Sequence, residues 1–139
     1  MKKDESLLRE ILEEHARCPY GLGELEKASH RGEWRSSQTG NLCRVQIKVE
    51  RNKFVKIVSQ VEGSALAKAC ASIMCSELLG KNLEEANRIR KKVLNWIESR
   101  EPPDSWPGDL VVYESLVRFP DRLDCAKLCW NALGRIFED

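Results

Sequence analysis

Two strand-like runs, Leu42 to Val49 and Phe54 to Val61, flank Arg51-Asn52-Lys53 and constrain this chain more than any other feature. In the first run Cys43, Val45, Ile47 and Val49 fall on one face, while Arg44, Gln46 and Lys48 fall on the other. That period of two belongs to a strand with one face buried. Two such runs joined by so short a turn pair as an antiparallel hairpin. A hairpin by itself is marginal in water, so its apolar face requires cover from elsewhere in the chain.

The cover comes from helical patterns on both sides. Leu7, Leu8, Ile11, Leu12 and His15 share one helical face, and this first helix must end before Pro19. His15 extends the apolar stripe and reads as a packed or half-exposed helix-end residue. Pro19-Tyr20-Gly21-Leu22-Gly23, Gly32 and the polar run Ser36 to Asn41 read as loop. After the hairpin, Ser64 is placed to cap a helix through Leu79, with Leu66, Cys70, Ile73 and Met74 inward and Gly80 as its stop. Asn82 with Glu85 three residues on has the form of a capping box, and that helix buries Leu83, Ala86, Ile89, Val93 and Ile97. The proline-rich stretch Arg100 to Gly108 cannot be helical. Asp109 can cap a short helix carrying Leu110, Val111 and Leu116, and a final helix runs from about Asp121 to Phe137. The expected fold is α+β: a small antiparallel sheet, the hairpin with room for a third strand, covered on one side by helices. An N-terminal helix and a C-terminal helix carrying Cys125 complete it.

A chain of 139 residues with a net charge of +1 fits one domain, residues 1–139, and lacks the basic stripe of a general nucleic-acid binder. The N-terminus turns acidic at Asp4-Glu5 where a signal peptide would turn apolar, and no apolar run approaches membrane length. The chain is therefore read as cytoplasmic, with neither membrane nor nucleic acid as partner. In a reducing compartment its six cysteines serve packing, metal binding or sulfur chemistry rather than disulfides. No Gly-rich phosphate loop or paired-histidine motif is present, and His15 and His30 have no neighbouring nucleophile, so an enzyme is not expected.

The candidate site centres on Cys125, in the early turns of the last helix, where the helix N-terminus favours negative charge on a thiol. Arg122 at i−3 would support a thiolate and Asp121 at i−4 would oppose it.

Several ordered motifs carry a resemblance. They are His15-x-Arg17-x-Pro19, Gly40 leading into Val45-Gln46-Ile47-Lys48-Val49, and Gly63-Ser64-Ala65-Leu66-Ala67 before Ala69-Cys70-Ala71-Ser72. Leu79-Gly80-Lys81-Asn82 and Phe119-Pro120-x-Arg122-x-x-Cys125-Ala126 follow. In order and spacing the chain resembles the U-type iron–sulfur cluster scaffolds (IscU, SufU and the N-terminal domain of NifU), most of all the SufU branch. The resemblance implies a role in iron–sulfur assembly, a cysteine desulfurase as partner, and zinc or an iron–sulfur cluster as ligand. It also implies that Cys125 is the one retained cysteine of a ligand set in which Thr39, Asn41 and Ser64 stand where relatives carry two cysteines and an aspartate. Asp124 stands where relatives carry histidine or lysine.

Hydroxyls and an amide are poor ligands for zinc or iron–sulfur clusters, which are held by anionic sulfur. Three roles follow as expectations. The first is a sulfur acceptor and scaffold-like partner of a desulfurase acting through Cys125. The second is a cluster-free binding or regulatory module that keeps the docking surface. The third is a metal protein with a relocated Cys43, Cys125 and Cys129 site; Cys43 joins it if its strand runs back through Asn41 and Thr39, and Cys129 lies one turn after Cys125. Packing is the stronger reading of Cys43 and Cys129, Cys70 and Cys75 read as packing within their helix, and capping explains Ser64.

Overall fold

The structure, a computed structural model, describes residues 5–101, 103–116 and 120–137. The hairpin is present: β2 (Leu42–Glu50) and β3 (Lys53–Glu62) pair antiparallel, with Cys43 opposite Val61 and Ile47 opposite Ile57. Arg51 and Asn52 take left-handed φ values of 53° and 66° at the turn, where an asparagine is at home. The alternation holds, since Cys43, Val45, Ile47 and Ile57 are all buried while Arg44 and Lys56 are exposed.

The third strand is β1 (His30–Arg35), antiparallel to β2 in a sheet ordered β1-β2-β3. It runs through Gly32, which the sequence placed in a loop. A Cβ on Gly32 would lie 2.2 Å from the carbonyl oxygen of Ala132 in the last helix. The residue that reads locally as a breaker is thus the one that lets a helix backbone rest on the strand.

Around the sheet stand α1 (Glu5–Arg17), α2 (Ala65–Leu78), α3 (Leu83–Ser99), a short α4 (Tyr113–Leu116) and α5 (Pro120–Gly134). The inner sheet face packs on α2 and α5; α1 lies against α2, and α3 against α5. Two of the three expected caps are present. The Ser64 hydroxyl accepts from the Ala67 N–H at 3.1 Å, and Asn82 and Glu85 form the reciprocal capping box. The core includes Phe54, Cys70, Ile73, Met74, Leu78, Val93, Tyr113, Leu128, Trp130 and Leu133. Leu66 and Leu83, expected inside, are only half-buried, and Trp96 takes the place on α3 that its heptad spacing from Ile89 offers. Trp34 is half-buried beneath the Arg135 guanidinium, 4.8 Å from its ring centroid, and half-buried Trp106 stacks on Tyr113.

Asp109 does not cap. Pro107 precedes a 3₁₀ turn over Gly108–Val112, and the Asp109 carboxylate is drawn to His15 instead. The His15 ring bridges three elements, with Nε2 2.9 Å from Asp109 and Nδ1 2.7 Å from the Ser72 hydroxyl on α2. Ser72 also accepts the Tyr20 N–H at 2.7 Å. His15 is therefore a half-buried structural pin. Among the described residues no helix is long and apolar enough to cross a membrane.

Candidate functional site

Three junctions of the chain meet at Cys125: the turn between β1 and β2, the step from β3 into α2, and α5. Each is shaped by local chemistry. The turn Ser36 to Asn41 is closed by the Ser36 N–H on the Asn41 carbonyl (2.8 Å) and the Gly40 N–H on the Ser36 carbonyl (2.9 Å). Gly40 takes φ +77°, a conformation side chains rarely adopt. At the second junction Gly63 is pressed against Asn41: a Cβ there would lie 2.6 Å from the Asn41 Cγ. Ser64 follows directly, at the N-cap of α2.

Of the positions named from the sequence, Cys125, Ser64 and Asn41 meet, and Thr39 lies on the adjoining turn. Cys125 Sγ accepts hydrogen bonds from the Ser64 hydroxyl at 3.2 Å and from the Asn41 amide nitrogen at 3.6 Å. Thr39 is turned to the neighbouring residue, its hydroxyl donating to Asp124 Oδ2 at 3.1 Å. Ser64 has two roles at once, accepting from Ala67 to cap the helix and donating to the thiol. Cys125 itself is 9 % exposed, at the rim of the core rather than within it. Arg122 is exposed on the first turns of α5, and the side chain of Asp121 and all of Phe119 lie outside the described residues.

Asp124 and Ser36 were not foreseen as partners. Asp124 is only 6 % exposed, and its Oδ2 receives the buried Ser36 hydroxyl at 2.8 Å as well as Thr39. Ser36 Oγ in turn accepts the Gln38 and Thr39 N–H groups at 3.1 and 3.2 Å. The available signal was an acid set among Cys125, Ala126, Leu128 and Cys129, facing a hydroxyl-rich turn.

The other thiols are elsewhere in character. Cys43, Cys70, Cys75 and Cys129 are buried, and Cys18 is exposed. Burial pushes Cys43, Cys70 and Cys75 each up to about 12, and Cys129 well above the usual thiol range. Strand β2 begins at Leu42, and Thr39 and Asn41 lie in the turn, so the extension that would have put Cys43 on their face does not occur. Among the described residues no three His, Cys, Asp or Glu side chains are gathered as metal ligands, and the relocated Cys43, Cys125 and Cys129 set is therefore not assembled.

A closed zinc site uses four thiolate, imidazole or carboxylate donors, and clusters are held by thiolates. Here one thiol stands beside one carboxylate whose Oδ2 is engaged by two hydroxyls, and the remaining groups are hydroxyls and an amide. These residues do not fit zinc or a cluster. They do suit a sulfur anion or a persulfide, to which two aimed donors offer hydrogen bonds.

Residues 8–134 match the family described as the NifU-like N terminal domain. The zinc-dependent sulfurtransferase SufU of Bacillus subtilis is 27 % identical over 132 residues, spanning 94 % of this chain and 89 % of its own length. The iron–sulfur cluster assembly scaffold protein IscU of Streptococcus pyogenes serotype M1 is 23 % identical over 134 residues, spanning 96 % of this chain and 84 % of its own. The crystal structure of the N-terminal part of a NifU-like protein from Brucella abortus superposes with a TM-score of 0.83 over 96 % of this chain and 93 % of that one, at 19 % identity.

Proposed function

The chain belongs to the NifU-like N-terminal domain family, and from that premise we propose that it works in iron–sulfur cluster assembly as a sulfur acceptor. On this reading its partner is a cysteine desulfurase, and it is a carrier rather than an enzyme. The observation that carries the proposal is the convergence of the Ser64 and Asn41 donors on the sulfur of Cys125. Building a cluster requires several sulfur ligands, whereas accepting one sulfur atom requires a single thiol. The names of two relatives, a sulfurtransferase and a scaffold, bracket the same choice.

The step balances without an added oxidant. The Cys125 thiolate attacks the outer sulfur of the desulfurase persulfide; the donor's S–S bond breaks and its inner sulfur leaves as a thiolate. A new S–S bond forms at Cys125, and the two proteins exchange one sulfane sulfur. Ser64 and Asn41 hold the attacking sulfur in place.

The test is persulfide labelling after incubation with a cysteine desulfurase and cysteine. Label on Cys125 that disappears in Cys125→Ser supports the proposal. A folded protein that stays unlabelled, or carries label only on Cys18, refutes it and leaves the binding-module role.

A further inference from the structure

The residue that organises this site is Asp124. One oxygen of its buried carboxylate receives two hydroxyls, Ser36 at 2.8 Å and Thr39 at 3.1 Å. Ser36 accepts the N–H groups of Gln38 and Thr39, and the Thr39 hydroxyl accepts the Asn41 N–H at 3.2 Å. This linked set starts on α5, passes through the whole turn and ends at Asn41. The Asn41 side chain then lies between Gly63 and the sulfur of Cys125. The three junctions that meet here are thus joined through side chains and backbone amides alone.

We infer that Asp124 is a positioning residue: its carboxylate fastens the Ser36–Asn41 turn to α5, sets the Asn41 amide on Cys125, and makes the site complete without a metal ion. A buried carboxylate costs free energy unless its oxygens are satisfied, and hydroxyl and turn amides supply the compensation here. Hydrogen bonds to a charged group are about twice as strong as neutral ones, so the turn is fastened more firmly than its length suggests. A metal ion would compete with this arrangement, since ligation by Asp124 or Thr39 would break their mutual bond. The inference does not depend on sulfur transfer, and its test does not read it.

The experiment uses the full chain purified without oxygen. Wild-type protein is expected to show the same Tm with added zinc and with chelator. Asp124→Ala is expected to lower Tm by roughly 5–15 °C. At fixed pH its Cys125 should be alkylated by a small maleimide about tenfold faster or more, as local opening replaces the ordered turn. Cys43, Cys70, Cys75 and Cys129 should stay protected in the same sample, which separates loosening of the turn from general unfolding. Should Asp124→Ala fail to fold, Ser36→Ala and Thr39→Ala each remove one donor and are expected to raise the Cys125 rate in the same direction. Two results overturn the inference: unchanged Cys125 labelling in folded Asp124, Ser36 and Thr39 variants, or a zinc-induced rise in wild-type Tm that Asp124→Ala abolishes. The second would make Asp124 a metal ligand.

Discussion

Replacing Thr39→Cys, Asn41→Asp and Ser64→Cys together should convert this site into a zinc site. The spacing is already close. In tetrahedral zinc with Zn–S bonds of 2.3 Å, neighbouring sulfurs lie about 3.8 Å apart. Ser64 Oγ and Asn41 Nδ2 stand 3.2 and 3.6 Å from Cys125 Sγ, so adjustments of a few tenths of an ångström suffice at those two positions. Thr39 lies on the same turn, held to the residue next to Cys125. The metal-free variant loses the Thr39 bond to Asp124, the Asn41 and Ser64 bonds to the thiol, and the Ser64 cap, about 1 kcal/mol or more for each. Relative to the metal-free variant, free zinc at a thousand times Kd stabilises by about 4 kcal/mol. For a chain of this size that raises Tm by roughly 10–15 °C. The assay is a thermal melt of the metal-free variant with and without one equivalent of zinc, beside metal analysis. Wild-type protein should not respond. Equal zinc uptake by the wild type would refute the reasoning that hydroxyls and an amide are inadequate donors. A folded triple variant indifferent to zinc would refute the claim that the geometry is already in place.

Other expectations can be checked with ordinary means. Gly32→Ala forces a methyl into the Ala132 carbonyl and should cost about 3 kcal/mol in urea denaturation, because sheet and helix must separate. Ser64→Ala should lose about 1 kcal/mol of capping while Ser64→Asp retains most of it, so the two variants separate the capping role from hydroxyl donation to Cys125. Cys43, Cys70 and Cys75 have folded pKa values raised from 9.0 to about 12. Their contribution to stability is therefore complete below pH 9.0 and is lost as pH rises toward 12, at about 1.4 kcal/mol per pH unit for each thiol. Denaturant midpoints between pH 8.5 and 11 would test this, and a midpoint that rises with pH would contradict it. In native protein, mass spectrometry after brief alkylation should find Cys18 modified first and the five buried thiols protected, with Cys125, at the rim of the core, the next to react.

Much of the architecture was legible because it rests on local chemistry. The period of two in β2, the turn at Arg51-Asn52, the Ser64 cap and the Asn82–Glu85 box each depend on residues a few positions apart, and each occurs where the chain announces it. Room for a third strand was legible, but its place at β1 was not. That strand is polar, carries a glycine at its centre, and owes its conformation to β2 on one side and to α5 lying across Gly32. Asp109 was misjudged for the same reason: its partner, His15, is 94 positions away.

The amino-acid order alone settled which chemistry this site lacks, because no folding can turn a threonine, an asparagine or a serine into a thiolate. It also settled that one cysteine stands where a helix begins. Only the tertiary structure decided what those groups do together. Asp124 finds Ser36 and Thr39 across 88 and 85 positions of chain, a pairing with no periodicity to betray it. Hydrogen bonds of that kind are chosen by which junctions the packed core brings within bonding distance of each other, and the core is a property of the whole chain.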